Sequence, residues 1–195
     1  MQAERRQAAI LHAELRNFTR MSEMLEPARV LALANEFFSL AGRIVRDQAG
    51  KVLSVQNDTL VASFAAGAAA QFAANALQAA QDMEREFGPL GDRWQTEYGL
   101  PAAVSLGIHL GETVFGMAGP QGAQQYVAFG DCVSVAERLV HRARNGEIVI
   151  SLPVMKALGT AVAALGAEEL PPLELAKRQP IPIYGIVLET RLDFT

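Results

Sequence analysis

The chain has 195 residues, half of them hydrophobic and 19% charged, a composition too apolar for a disordered chain and a length that fits one domain, spanning 1–195. Its 17 Lys and Arg against 21 Asp and Glu leave a net charge of −4, without the basic footprint that contact with nucleic-acid phosphates requires. The one cysteine, Cys132, cannot form an internal disulfide, which fits a reducing compartment and places the chain in the cytoplasm.

The first residues, Met1 to Arg6, are charged, but the apolar run after them is short and breaks at His12 and Glu14, so it is no signal peptide. Gln7 to Ala13 reads as a strand, and Leu15 to Thr19 as the turn after it. Pro27 suits the first position of a long helix. Along it Val30, Leu33, Ala34, Phe37, Ala41, Ile44 and Val45 recur at three- to four-residue spacing until Gly50. Lys51 to Gln56 and Thr59 to Phe64 form a predicted β-hairpin, joined at Asn57-Asp58, residues that tolerate a tight turn.

Between Asp58 and Asp82 lie 23 uncharged residues, the length of a membrane span. The stretch is mostly alanine, interrupted by Gly67, Gln71, Asn75 and Gln78, which favours a buried strand followed by a buried helix over Ala68 to Phe87. Gly88-Pro89 to Gly99-Leu100-Pro101 is predicted as a polar loop. Ala102 to His109 and Glu112 to Phe115 form a predicted strand pair around Leu110-Gly111. Tyr126 to Phe129 is a short strand, Asp131 to Arg144 a helix with Asp131 at its N-cap, and Glu147 to Ser151 another strand. After a Pro-rich link at Pro171-Pro172, Ile181 to Leu188 closes the chain.

Strand, helix, hairpin, helix, strand is the βαββαβ order of a ferredoxin-like α+β fold, here with C-terminal additions. In that topology the first and third strands are antiparallel neighbours at the sheet centre, so Glu14 at the end of one lies beside Asp58 at the start of the other. Two carboxylates at one sheet end repel unless a cation or proton sits between them. A hard divalent ion such as Mg²⁺ or Mn²⁺ is held by one or two carboxylates plus substrate phosphates, while acids at loop tips also occur for plain solvation. The turn from Leu15 through Arg16, Asn17 and Phe18 to Thr19 would offer backbone N–H groups to a triphosphate. Arg138, by residue type alone, equally suits a surface ion pair. Cys132 reads as a small buried residue, and His12 and His109, in strands, as residues that pack or hydrogen-bond.

Five runs carry a resemblance. They are Leu11 to Thr19, Asn57-Asp58, Leu106 to Glu112, Phe129 to Leu139 and Gly146 to Ser151. In order and spacing they resemble the class III adenylate/guanylate cyclase catalytic domain. That resemblance implies a homodimer with active sites at the interface, where the 3′-hydroxyl of a nucleoside triphosphate attacks the α-phosphorus and pyrophosphate leaves. It makes Glu14 and Asp58 the metal-binding residues, with Glu14 in place of the family's Asp. It puts Ser54 where adenylate cyclases carry a base-reading Lys, and Val127 where they carry an Asp or Thr. It puts Ser134 at the transition-state Asn, keeps the Arg one turn later as Arg138, and aligns Lys177, or Arg178, with a phosphate-binding Lys.

The expected function is therefore a nucleotidyl cyclase domain in intracellular signalling, of low activity or relaxed base choice. A catalytically silent dimerising module is the alternative. A ferredoxin-like ligand module unrelated to cyclases fits the five runs poorly, and diguanylate cyclases are excluded by the lack of a Gly-Gly-Asp/Glu-Glu-Phe run. The first strand starts within about ten residues of Met1, which leaves no room for an N-terminal sensor; an excised domain, or control by a separate partner, is expected.

Overall fold

A computed structural model of the chain describes residues 3–176 and 178–188. Strand β1 (Glu4–Leu15) is followed by a short helix α1 (Phe18–Met24) and a long one, α2 (Pro27–Asp47). The hairpin β2 (Lys51–Gln56) and β3 (Thr59–Phe64) leads into α3 (Ala69–Tyr98), β4 (Val104–Ala118) and β5 (Gln125–Phe129). Then come α4 (Asp131–Arg142), β6 (Glu147–Ser151), α5 (Leu152–Leu158), a 3₁₀ segment (Gly159–Leu165), β7 (Glu168–Leu173) and β8 (Ile181–Val187).

The strands make one mixed, mainly antiparallel sheet in the order β2-β3-β1-β4-β6-β8-β7, with β5 paired to β4. The first four are the expected ferredoxin-like core. β1 pairs antiparallel with β3, setting Glu14 opposite Thr59, and Asn57 makes the hairpin turn at φ 52°.

β1 divides the core by its two-residue period. Ala9, Leu11, Ala13 and Leu15 point into a cluster with α2 and α3. Ala8 and Ile10 point the other way, against Cys132 and Ala136 of α4. Among the described residues no helix is long and apolar enough to cross a membrane.

Four predicted elements are corrected. The polar loop after Phe87 is helix: α3 runs on to Tyr98 with Pro89 inside it. Packing outweighs the lost amide bond there, because Phe87, Gly91 and Trp94 continue the buried stripe of Met83 and the Trp94 indole N–H donates to Glu36 of α2 at 3.1 Å. The strand pair around Leu110-Gly111 is one strand, since β1 pairs with β4 without interruption from Glu4 to Leu15. The Pro171-Pro172 link lies within the edge strand β7, at an irregularity in its pairing with β8, where prolines are tolerated. At α4 the cap is Gly130, not Asp131; its φ of 132° is a conformation for glycine.

α4 sits very close to the sheet. A Cβ on Gly107 of β4 would lie 2.4 Å from the Val140 nitrogen and 2.7 Å from the Ala136 carbonyl oxygen, so only glycine admits the helix at this depth. His109, two residues on, is buried and its Nδ1 is 2.7 Å from Ser151 Oγ. Burial lowers its pKa to about 4.

Two outcomes follow. Gly107→Ala should cost about 3 kcal/mol, the upper end for overpacking, seen as a lower urea midpoint. Between about pH 6.5 and 4 the unfolded chain binds a proton at His109 that the folded chain refuses, so stability should fall as pH falls, by up to about 1.4 kcal/mol per pH unit from this group; the slope should be shallower for His109→Asn.

Candidate functional site

At the end of β1 the period of two sets His12, Glu14 and Arg16 in succession on the side facing α4. Arg16 is less than a quarter exposed and each of its three guanidinium nitrogens donates a hydrogen bond. Nε donates to Ser105 Oγ at 2.7 Å, Nη1 to Glu14 Oε1 at 2.7 Å, and Nη2 to the carbonyls of Val140 and Ala143 at 2.8 Å each. Those carbonyls belong to the C-terminal end of α4, where a cation also meets the negative end of the helix dipole. The other Glu14 oxygen, Oε2, lies 3.6 Å from His141 Nε2.

Glu14 and Asp58 line one cleft of about 640 Å³ together with the turn Arg16 to Thr19. The Leu15 amide donates to the Asp58 carbonyl at 2.8 Å and the Arg16 amide to Ala103 at 2.8 Å, so these two of the five predicted phosphate-binding amides are already used. Asn17, in the left-handed region at φ 65°, turns the chain into α1. The amides of Asn17, Phe18 and Thr19 have no backbone acceptor among the described residues.

Two hard carboxylates facing one open cleft fit a divalent ion that takes its remaining ligands from water and phosphate oxygens. Among the described residues no group of three or more His, Cys, Asp or Glu forms an all-protein cage.

Ser134 and Arg138 lie elsewhere. Both are exposed on α4 and line a separate cleft of about 230 Å³ with Asp131 and Arg178. Arg138 has no ion pair among the described residues. Arg178 grips Asp131 with two hydrogen bonds of 2.6 Å, which holds the Asp131 carboxyl below its usual range and raises the guanidinium. Lys177 falls outside the described residues.

Ser54 of β2 and Asp58 line a third cavity, about 180 Å³, with His12 and with Glu137 and His141 of α4. Val127, on β5 opposite Gly116, is apart from it. His12 is 5% exposed and neither ring nitrogen has a hydrogen-bond partner among the described residues. Desolvation, then the neighbouring His141, lowers its pKa to about 4. Cys132 is buried, with its thiol pushed up to about 11 by that burial, as befits packing rather than nucleophilic chemistry.

The sequence reading missed the work of Arg16 and the isolation of His12. The available signal was the polar series His12, Glu14, Arg16 on one face of an otherwise apolar strand.

Residues 1–185 match the family model described as the adenylate and guanylate cyclase catalytic domain. Adenylate cyclase 1 of Rhizobium meliloti (strain 1021) is 29% identical over 181 residues, 92% of this chain and 25% of that protein. The adenylate cyclase of Anabaena cylindrica is 30% identical over 140 residues, 70% of this chain and 27% of that protein. The chain thus spans about a quarter of the length of the curated relatives it matches. In fold it is similar to the adenylyl cyclase CyaB from P. aeruginosa, with a TM-score of 0.88 at 21% identity covering all of both chains. It is also similar to the guanylyl cyclase Cya2, at 0.86 and 23% identity over 99% of this chain and 98% of that one.

Arg16→Met should strand the Glu14 carboxylate and uncap α4, costing about 3 kcal/mol in urea unfolding. Adding Glu14→Gln to Arg16→Met should recover part of that loss, a coupling a double-mutant cycle reads directly.

Proposed function

Because the chain belongs to the adenylate and guanylate cyclase catalytic-domain family, we propose that it converts a nucleoside triphosphate to a 3′,5′-cyclic nucleotide and pyrophosphate, at low rate, as a cytoplasmic homodimer in intracellular signalling. The observation that carries this reading is the pairing of Glu14 and Asp58 on one cleft beside the turn to α1.

In this reading Glu14 and Asp58 would hold Mg²⁺ or Mn²⁺, which would supply positive charge to offset the negative charge developing on the phosphate oxygens. The free amides of Asn17 to Thr19 bind the phosphates, with Leu15 and Arg16 shaping the turn, and Lys177 or Arg178 adds a cation. A bond forms between the 3′-oxygen and the α-phosphorus as the bond from that phosphorus to the β-bridging oxygen breaks; the hydroxyl proton passes to water and pyrophosphate departs. Ser134 donates to the developing charge and Arg138 neutralises it. With a shorter donor in place of Asn, the rate is expected to be lower by about 10²–10³. By the resemblance Ser54 and Val127 take the family's base-reading positions, and Val127 has no polar group to offer.

The geometry of α4 supports a shared site. Ser134 and Arg138 line the cleft at Arg178, whereas Glu137 and His141, one step round the helix, line the cavity at Asp58, and His141 borders Glu14. One chain therefore keeps its Ser134 and Arg138 away from its own carboxylates, and a second copy would supply them. Phe129 on β5, 61% exposed, offers apolar surface for such a partner. The second reading, a silent dimerising module, is favoured by the Glu14–Arg16 ion pair of 2.7 Å, which already occupies one oxygen of the first carboxylate.

Purified protein incubated with Mn²⁺ and each ribonucleoside triphosphate should yield a cyclic product by mass spectrometry, lost in Asp58→Ala and increased at least tenfold by Ser134→Asn. A folded dimer in light scattering that makes no product would favour the silent module, and a strict monomer at high micromolar concentration would exclude the shared site.

A further inference from the structure

Arg178 and Asp131 are joined by two parallel hydrogen bonds of 2.6 Å, from Nη1 to Oδ2 and from Nη2 to Oδ1. The pair stands on the wall of the cleft of about 230 Å³ that Ser134 and Arg138 also line. Asp131 opens α4 without capping it, since Gly130 holds the cap position, and among the described residues its carboxylate bonds only Arg178. The two side chains are 56% and 42% exposed, and an ion pair so open to water contributes little to stability. The fold does not depend on this contact, yet the contact is aimed across a cleft.

A guanidinium grips a carboxylate and a phosphate with the same fork of parallel N–H donors. The Asp131 carboxylate therefore takes the place on Arg178 that two phosphate oxygens would take. Arg138 has no ion pair among the described residues and lines the same cleft. With the fork closed the cleft offers one uncompensated guanidinium; with it open it offers two. Opening strands no buried charge, because Asp131 is left facing water. The two partners also sit on different elements. Asp131 belongs to the first turn of α4, and Arg178 to the segment between β7 and β8, so the arginine can leave without disturbing the helix.

We propose that the fork is an autoinhibitory latch, in which Asp131 stands in for a substrate phosphate on Arg178 and a triphosphate enters this cleft by taking the arginine from it. This rests on the cyclase reading given above, where the cleft of one copy meets the triphosphate held by the carboxylates of the other. A phosphate group carries more negative charge than a single carboxylate and wins the exchange, whereas an anion of one charge gains nothing over Asp131. The latch thus sets a threshold on occupancy of the shared site.

The probe is inorganic tripolyphosphate, premixed with Mn²⁺ and titrated by calorimetry into the full chain as the parent, Asp131→Asn, Arg178→Gln and the double variant. Asp131→Asn keeps the shape of the side chain but removes its charge, and should tighten binding by about threefold or more. Arg178→Gln should weaken it by about tenfold or more. The double variant should bind within about twofold of Arg178→Gln, since without the arginine there is nothing to release. All three variants should melt within about 4 °C of the parent, as befits an exposed pair. Plain repulsion of the ligand by Asp131 predicts the same gain with or without Arg178, and that result would overturn the latch. Binding to Asp131→Asn no tighter than to the parent would overturn it too, the weaker case making Asp131 a support for Arg178 instead. In both cases the parent still binds and the nucleotide reading stands. A parent that binds neither tripolyphosphate nor any of the four 3′-deoxynucleoside triphosphates, which cannot cyclise, would overturn both.

Discussion

The guanidinium of Arg16 ties together the end of β1, the start of β4 and the C-terminal end of α4. Its four hydrogen bonds reach Glu14 on its own strand, Ser105 on the neighbouring strand and two carbonyls where α4 ends. The Ser105 hydroxyl passes the connection on to the Arg144 carbonyl at 2.7 Å. A planar, five-donor group is suited to this, since a lysine could not satisfy acceptors in several directions at once. The cleft that Glu14 and Asp58 share is framed by this node, because the same cation that fixes the depth and tilt of α4 fixes one of the two carboxylates.

α4 then serves two clefts. Its buried stripe, Val135, Ala136, Leu139 and Val140, is pressed onto β4 at Gly107. Its outer surface carries Ser134 and Arg138 on one stripe and Glu137 and His141 on the next. The turn of the helix from one residue to the next directs the two stripes to different clefts, so in the proposed reading one chain presents half of each kind of site. The Arg178–Asp131 fork pins the segment before β8 across the first cleft, much as Arg16 closes the other end.

Much of this was legible in the residues. The alternation of β1, the stripe of α2 and the turn at Asn57-Asp58 follow from period and turn chemistry, and together they bring Glu14 and Asp58 to one sheet end. Gly88, Pro89 and Gly91 misled because local punctuation competes with tertiary burial, and Phe87, Trp94 and the Glu36 contact decide for helix. Leu110-Gly111 misled in the same way: a glycine that admits Cys132, 3.4 Å from where its Cβ would stand, is indistinguishable in sequence from one that makes a turn. The partners of Arg16 lie up to 127 positions away, beyond any local pattern. His12 looked like any strand histidine, since being unpartnered is a property of the surroundings rather than of the residue.

The distribution of polar groups on β1 ties fold to function most directly. Toward α2 and α3 the strand is apolar to its last residue, Leu15, which is 1% exposed. Toward α4 it is apolar at Ala8 and Ile10 and then polar at His12 and Glu14, with Arg16 just beyond the strand. A sequence selected for stability alone would continue the apolar series, because unpaired or internally paired polar groups at such positions contribute little and cost desolvation. The change occurs where β1 reaches the C-terminal end of α4 and, with β3, opens onto the clefts. The strand therefore spends its middle on packing and its last residues on the clefts, with Gly107, opposite His12 in register, marking the depth at which the helix can still approach.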